Sequence, residues 1–273
     1  MHKEVIQRQY DEVIAKHYDV DPQDVIQRTI AASLRQLDDL DLLKAGLPPL
    51  RVLDLGVGTG LFLERLIQST DRDVVPSGLD ISKQMVEIAR ERIPEIATAV
   101  DDAANFETHF AGQAFGMICT HFVTGFVPMQ TLAPKIWDHL EPGGYWSFVG
   151  GTSRGYLALQ RIAKSRVLQA LFNRRGVSAE GNLLTPEDEQ EVKRRFEDGG
   201  FESEITETFE PELKFEHFDG FMEFAYHGGW LTPFVEELGL QRAGWLTRQF
   251  LNTLVFPVSD HHSIVIAVAR KPR

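Results

Sequence analysis

The stretch Val52-Leu53-Asp54-Leu55-Gly56-Val57-Gly58-Thr59-Gly60 decides the fold of this 273-residue chain. It begins as an apolar strand and continues with glycines at alternate positions. Residues 61–67 follow with apolar side chains at helical spacing, so a strand is predicted to enter a helix through a glycine-rich turn. Such a turn presents free N–H groups and backbone without side chains to a ligand. The stretch therefore predicts a nucleotide-type binding loop.

The spacing of the glycines separates two kinds of loop. A dinucleotide-binding loop follows G-x-G-x-x-G, and its third glycine would fall at position 61, where this chain has Leu61. Here an acidic residue, Asp54, is followed by glycines at positions 56, 58 and 60. A carboxylate would repel a pyrophosphate but would attract a sulfonium or an ammonium group. The spacing therefore disfavours a dinucleotide.

The next elements continue the alternation of strands and helices. Residues 73–80 are typical of a second strand that ends in Asp80, and Ser82 is the predicted N-cap of the helix that follows. A carboxylate at the end of a second strand can accept hydrogen bonds from a ribose diol. Strands that alternate with helices predict a parallel sheet with right-handed crossovers.

These motifs, over about residues 50–150, resemble those of the class I S-adenosylmethionine-dependent methyltransferases. The resemblance includes the turn Pro142-Gly143-Gly144 before a fifth strand and departs from the family at Gly116, where many relatives have Asp. It implies a Rossmann-like, doubly wound α/β fold with a mostly parallel seven-stranded sheet and helical insertions. It also implies S-adenosyl-L-methionine as cofactor. Residues 10–12 and 18–19 are similar to the ubiquinone/menaquinone and secondary-metabolite branch.

The resemblance also implies which residues bind the cofactor. Asp54 would lie near the methionine part, Asp80 would bind the ribose, Asp102 would accept from the adenine amine and the backbone of Ala103 would meet a ring nitrogen. Asp101 takes the place of Asp102 if the third strand ends one residue earlier. The complete predicted set is Asp54, Gly56, Gly58, Gly60, Asp80, Ile81, Met85, Asp101, Asp102, Ala103 and Thr120.

The chain is expected to place further segments around this core. We predict an N-terminal helical lid at 1–47, the cofactor-binding α/β core at 48–150 and a helical insertion at 151–184. The core continues at 185–210, with Thr185 as the N-cap of a helix. An aromatic-rich helical lid follows at 211–258, and the last core strand lies at 259–273.

An aromatic-rich lid implies an apolar acceptor that is buried away from water, although most of these aromatic residues are expected to fill the core. The residues predicted to contact the substrate are Phe122, His227, Trp230 and Trp245. His121 is the candidate base or orienting residue and Tyr18 the second catalytic candidate, while His261 and His262 are interpreted as scaffold. Methyl transfer is a direct displacement to oxygen, nitrogen or carbon that can depend largely on alignment, and some acceptors also need a base.

Composition limits the classes of partner. The net charge of −12 argues against a nucleic-acid partner, and the basic stretch 161–175 is typical of a helix with a solvated face. Cys119, the only cysteine, is expected in the core, and the histidines show no metal-ligand spacing. No leader or membrane-spanning run is evident, so a cytoplasmic monomer or homodimer is predicted.

The alternatives to a methyltransferase are a non-catalytic S-adenosylmethionine-binding regulator, an NAD-type oxidoreductase and an aminopropyltransferase.

Overall fold

The computed structural model describes residues 3–165 and 185–273 around a seven-stranded sheet. The strand order is β3-β2-β1-β4-β5-β9-β6, and β9 runs antiparallel to both neighbours while the remaining pairs of β1 to β5 are parallel. The predicted mostly parallel, seven-stranded α/β sheet is thus confirmed. The strands are β1 Leu50–Leu55, β2 Val74–Asp80, β3 Ala97–Val100, β4 Phe115–His121, β5 Leu140–Gly151, β6 Glu202–Phe209, β7 Glu212–Phe215, β8 Val258–His261 and β9 Ile264–Arg270.

Helices cover both faces of the sheet and the edge at which the parallel strands end. The α-helices are α1 Lys3–Gln9, α2 Val25–Asp39, α3 Leu61–Gln68, α4 Lys83–Arg92, α5 Phe106–His109, α6 Met129–His139, α7 Leu157–Ala163, α8 Glu189–Asp198, α9 Phe218–Met222, α10 Thr232–Leu238 and α11 Trp245–Leu254. Tyr10–Ile14 and Glu223–His227 form π-helical turns. Short 3₁₀ turns lie at Tyr18–Val20, Ala103–Asn105 and Leu240–Arg242.

Two helix starts test the predicted N-caps. The Ser82 side chain accepts a hydrogen bond from the backbone N–H of Met85 at 3.1 Å, so the predicted cap of α4 is confirmed. The predicted cap at Thr185 is wrong. Asp188 caps α8 instead, because its carboxylate accepts from the backbone N–H of Glu191 at 3.1 Å.

Apolar side chains from both faces of the sheet form the core. Along β1, Val52 and Leu53 point to opposite faces and are both fully buried, as expected for a strand that is covered on two sides. Cys119 is buried and free. Phenylalanines of the aromatic-rich segment, among them Phe215 and Phe224, form a third buried cluster. Many of the predicted lid aromatics therefore fill the core.

The segment 211–258 departs from the helical prediction. Glu212–Phe215 is a strand that pairs antiparallel with Val258–His261 in a separate two-stranded sheet. Its polar and apolar residues alternate, and only Leu213 and Phe215 are buried, which is the period of a strand. The last core strand therefore begins at Ile264. The predicted insertion 151–184 is seen as α7, and its part from 166 to 184 lies outside the described residues.

Within residues 3–165 and 185–273, no helix is long and apolar enough to cross a membrane.

Candidate functional site

A cavity opens at the carboxyl ends of β1, β2 and β4, where open α/β sheets bind ligands. It encloses about 860 Å³ of empty space, including its open mouth. The loops after the strands contribute Gly56, Gly58, Ile81, Asp102, Ala103 and His121 to its wall. We refer to this space as the cofactor cavity.

The glycines of the loop after β1 have different roles. All three have positive φ, +79° at Gly56, +54° at Gly58 and +78° at Gly60. A Cβ on Gly56 would lie 2.2 Å from Val123 Cγ2, whereas a Cβ on Gly58 would meet nothing closer than Tyr18 Cε1 at 3.9 Å. Gly58 therefore leaves backbone free toward the cavity. Gly60 packs against α4, where a Cβ would lie 3.2 Å from Ala89 Cβ, and it does not line the cavity.

Asp80 lies at the tip of β2 and holds the glycine loop. Its two carboxylate oxygens accept from the backbone N–H groups of Gly58 and Ser82, each at 2.9 Å. Burial raises the pKa of Asp80 to about 6, while these backbone hydrogen bonds act in the opposite direction. Each oxygen has a second lone pair, and the residue lines the cavity beside Ile81 and Met85. A ribose diol fits this carboxylate.

Asp54 is a buried acid that lacks a partner. It is 2% exposed, and its Oδ1 atom has no hydrogen-bond partner in the part of the chain that is described. Burial raises the pKa of Asp54 well above its usual range. The residue lines a smaller space next to the cofactor cavity, together with Gly56, Gly58 and His121. An ammonium group there would pair with the carboxylate and remove this cost of burial.

The structure separates the two acidic candidates after β3. Asp101 contacts His109 at 3.0 Å and Lys3 at 3.3 Å, and its hydrogen bond with His109 holds its pKa well below the usual range. Asp102 accepts from the backbone N–H of Ala104 at 2.9 Å and lines the cofactor cavity with Ala103. Asp101 is not in the wall of the cavity. The geometry therefore favours Asp102 as the residue beside an adenine.

The N-terminal segment covers the cavity. Lys3, Ile6, Tyr10 and Tyr18 contribute to its wall. Two carboxylates fasten this segment to the core. Asp11 accepts from Ser82 Oγ at 2.6 Å, and Asp19 accepts from Thr59 Oγ1 at 2.7 Å and pairs with Arg92.

His121 lies deep in the cofactor cavity. Its Nε2 atom is 3.0 Å from Ser147 Oγ, and its ring packs edge-on against Phe62 with centroids 4.2 Å apart. Burial lowers the pKa of His121 to about 3, so the imidazole is neutral at ordinary pH. The neighbouring Thr120 is fully buried, accepts from Trp146 Nε1 at 2.8 Å and does not line the cavity.

A second, larger cavity adjoins the first and encloses about 1330 Å³ of empty space, including its opening. Tyr10, Tyr18, Phe122 and Phe126 line both cavities, so the two spaces meet at these rings. We call this space the acceptor cavity. Its far walls include Tyr156, Trp230 and His262, together with glycines of β5 and of residues 228–229.

The predicted substrate contacts divide between this cavity and other places. Phe122 and Trp230 line it. His227 lies outside, with its ring 4.9 Å from that of His17, and it faces a separate surface pocket. Trp245 is 70% exposed at the start of α11 and lines neither cavity. The structure does not bring Trp245 or His227 to the site.

Sequence reasoning missed most of the lining of the acceptor cavity, including Tyr10, Phe126, Tyr156 and His262. His262 was interpreted as scaffold, but it is 5% exposed in the wall of the cavity, between β8 and β9. The only signal at Tyr156 was its place after a glycine-rich strand end, and this pattern is also typical of an ordinary turn.

Comparisons with known proteins agree with this geometry. A family model described as a methyltransferase domain matches residues 52–144. The chain is 36% identical over 97 residues to a trans-aconitate 2-methyltransferase from Methylobacterium radiotolerans, which is 35% of this chain and 36% of that protein. It is 30% identical over 111 residues to a dTDP-4-amino-2,3,4,6-tetradeoxy-D-glucose N,N-dimethyltransferase from Saccharopolyspora spinosa, which is 38% of this chain and 42% of that protein. The matches thus span less than half of each relative.

A solved structure extends the likeness of fold over most of the chain. The magnesium protoporphyrin IX methyltransferase of Synechocystis PCC 6803, solved with bound S-adenosylhomocysteine, has a TM-score of 0.52 at 15% identity. The superposition covers 90% of this chain and 83% of that chain. At this identity the likeness concerns the fold. Taken together with the glycine loop and Asp80, these findings show that residues 52–144 are similar to a methyltransferase domain, in a chain that has the Rossmann-like α/β fold.

Proposed function

We propose that this protein binds S-adenosyl-L-methionine in the cofactor cavity and transfers its methyl group to a small, largely apolar molecule in the acceptor cavity. The observation that carries the proposal is the junction of the two cavities at Tyr10, Tyr18, Phe122 and Phe126. A donor and an acceptor that bind on either side of these rings would meet without crossing solvent. Such an arrangement supports direct displacement, which depends mainly on alignment.

The residues of the cofactor cavity fit the chemical groups of this cofactor. The free backbone at Gly58 allows close approach, the carboxylate of Asp80 fits the ribose diol and Asp102 fits the adenine amine. Asp54 has an unpartnered buried oxygen that fits the ammonium group. When bound, the cofactor supplies an electrophilic methyl group on a sulfonium. The protein's own residues orient the two molecules and exclude water from the junction.

His121 takes a positioning role in this proposal. It lines the cofactor cavity but not the acceptor cavity, and its Nε2 atom already contacts Ser147 Oγ. Its neutral imidazole, next to Phe62, supports the wall at the end of β4. Tyr18, by contrast, lines both cavities and borders the path of the methyl group. The net charge of −12 supports a small-molecule acceptor over a nucleic acid.

Calorimetric titration with S-adenosylmethionine and with NAD(H) tests the cofactor. We expect the wild type to bind S-adenosylmethionine and Asp80→Ala to bind it at least tenfold more weakly, because the ribose loses a charged acceptor. Asp73→Ala, at an exposed acid just before β2, is the matched control and should bind normally. Binding of NAD(H) in place of S-adenosylmethionine would contradict the proposal.

Turnover is tested with isotopically labelled cofactor and a metabolite extract. Mass spectrometry should find a product that has gained one labelled methyl group, whereas an aminopropyl group would give a larger mass increase. Binding of the cofactor with no labelled product from any extract would instead favour a non-catalytic regulator.

A further inference from the structure

None of the described residues that line the acceptor cavity carries a charge. Its lining consists of aromatic rings, glycines and neutral polar side chains, and no Asp, Glu, Lys or Arg of the described chain contributes to it. The buried carboxylate of Asp260, two residues before His262, is already occupied, since it accepts from the backbone N–H groups of Leu159 at 2.7 Å and His261 at 2.9 Å. A charged ligand would therefore lose its hydration here without gaining an opposite charge.

Three polar atoms of this wall are buried without a partner. Tyr156 Oη, Trp230 Nε1 and His262 Nδ1 form no hydrogen bond with any described residue. Their side chains cluster, because the His262 ring lies 4.7 Å from that of Tyr156 and 4.9 Å from that of Trp230. Buried polar groups in native proteins are almost always hydrogen-bonded. Three unpaired atoms on one wall of a cavity therefore point to a ligand that supplies the missing partner.

Backbone strain marks the same wall. Phe122 and Tyr156 have positive φ values of 58° and 59° although neither is glycine. Strain of this kind persists where the surrounding structure enforces it, often at ligand sites. Phe122 also places the cluster near the junction, since its ring packs edge-on against Trp230 at 4.9 Å and lines both cavities. A group held by the cluster would thus lie close to the entrance of the cofactor cavity.

The hydrogen-bonding capacity of the three atoms limits the chemical class of the ligand. The indole N–H of Trp230 can only donate, and the Tyr156 hydroxyl can donate or accept. Burial lowers the pKa of His262 to about 3, so its ring is neutral, and the unpaired Nδ1 atom donates or accepts according to the tautomer. A hydroxyl group both accepts and donates, and it satisfies such a set better than a carbonyl or an ether, which only accept.

We propose that the acceptor cavity selects an uncharged, hydroxyl-bearing molecule whose hydroxyl group is held by Tyr156, Trp230 and His262. This inference rests on the proposed function, because the cavity serves as an acceptor site only beside a bound methyl donor. It goes further in two ways. It assigns the residues that recognise the acceptor, and it specifies that the acceptor is uncharged and bears a hydroxyl group.

Matched probes test the inference without turnover. Calorimetry with protein saturated with S-adenosylhomocysteine would compare 2-naphthol, 2-methoxynaphthalene and 2-naphthoate. The flat ring is common to all three, the ether cannot donate a hydrogen bond and the carboxylate is charged. We expect 2-naphthol to bind roughly three- to tenfold more tightly than the ether, as one neutral hydrogen bond allows, and more than about tenfold more tightly than the anion.

Conservative aromatic variants locate the interaction. Trp230→Phe and Tyr156→Phe each remove one polar group and keep an aromatic ring, so each should weaken 2-naphthol binding roughly three- to tenfold. Trp245→Phe and Tyr226→Phe, outside the cavity, are the controls and should leave it unchanged. An unchanged affinity for S-adenosylhomocysteine in each variant shows that the fold is intact.

The outcomes distinguish the two proposals. Equal affinity for the three probes, no binding of 2-naphthol up to its solubility limit, or equal affinity in variants and controls would each overturn the inference while S-adenosylhomocysteine still binds. Failure of S-adenosylhomocysteine to bind the wild type would overturn the proposed function itself, and the inference with it.

Discussion

Replacing Gly58 with alanine tests the assignment of the cofactor loop most directly. The residue has a φ of +54°, and an added Cβ would meet no protein atom closer than 3.9 Å. The left-handed backbone should therefore cost about 1–2 kcal/mol of unfolding free energy, with no added cost from a clash. The matched control is Gly112→Ala, at an exposed turn with a φ of +71° and no atom within 4 Å of its Cβ. Both variants should lose similar stability.

Cofactor affinity should separate these two variants. The added methyl group of Gly58→Ala would enter the cofactor cavity and occupy space against the ligand, and overpacking of this kind costs about 1–3 kcal/mol. The dissociation constant for S-adenosylmethionine should then rise roughly 5- to 150-fold, while Gly112→Ala should bind as the wild type does.

A third variant separates folding from binding. In Gly56→Ala, the Cβ would lie 2.2 Å from Val123 Cγ2 in addition to the unfavourable φ, so about 1–3 kcal/mol of further stability should be lost. Urea unfolding and calorimetry on all three variants give both quantities. Wild-type affinity in a folded Gly58→Ala would show that the backbone at this position does not face the cofactor, and the reasoning about the loop would be refuted.

Three further predictions concern side chains around the same cavity. Burial raises the pKa of Asp80 to about 6 from 3.8, so its contribution to the unfolding free energy of the ligand-free protein is present below pH 3.8 and is lost as the pH rises through 6. About 1.4 kcal/mol of this loss falls between pH 5 and pH 8, and urea unfolding at the two values should show it in the wild type but not in Asp80→Asn. Asp19→Ala removes the carboxylate that accepts from Thr59 Oγ1 and so loosens the N-terminal segment that covers the cavity. Stopped-flow measurements should then show that S-adenosylmethionine dissociates roughly three- to tenfold faster. An unchanged dissociation rate would show that Asp19 does not hold this segment over the cofactor. Burial lowers the pKa of His121 to about 3, so this residue should not titrate between pH 5 and 9. The pH profile of turnover over this range should therefore have the same shape in the wild type and in His121→Gln. A limb of the profile that is present in the wild type and absent from the variant would show that His121 acts as a base.

Local patterns in the sequence predicted much of the wall of the cofactor cavity, although Gly60 and Thr120 do not line it. The glycine loop after β1, Asp80 at the end of β2 and the cap at Ser82 each depend on neighbours within a few residues of the chain. Parallel strands bring their carboxyl ends to one edge of a sheet, so a residue at a strand tip has a predictable place. The order of the elements along the chain therefore predicts that these groups surround a single cleft.

One ambiguity on the same side needed the tertiary structure. Asp101 and Asp102 are adjacent, and the sequence left both as candidates. Asp101 contacts His109 and does not line the cavity, whereas Asp102 lies in its wall. Lys3 pairs with both carboxylates, at 3.3 Å and 3.7 Å, and it is nearly one hundred residues distant along the chain, so no local pattern could have shown this arrangement.

The acceptor side was decided mostly by the tertiary structure, because of its described lining residues the sequence predicted only Tyr18, Phe122 and Trp230 as site residues. Tyr10, Phe122, Tyr156, Trp230 and His262 come from five separate segments and share one cavity only after the chain has folded. In sequence, an aromatic residue that lines a cavity shows the same spacing as one that fills the core. An exposed tryptophan such as the one at position 245 is equally hard to recognise, because its burial depends on distant segments. The sequence by itself therefore determined the fold class and predicted the methyl donor, whereas long-range packing determined which side chains line the acceptor cavity.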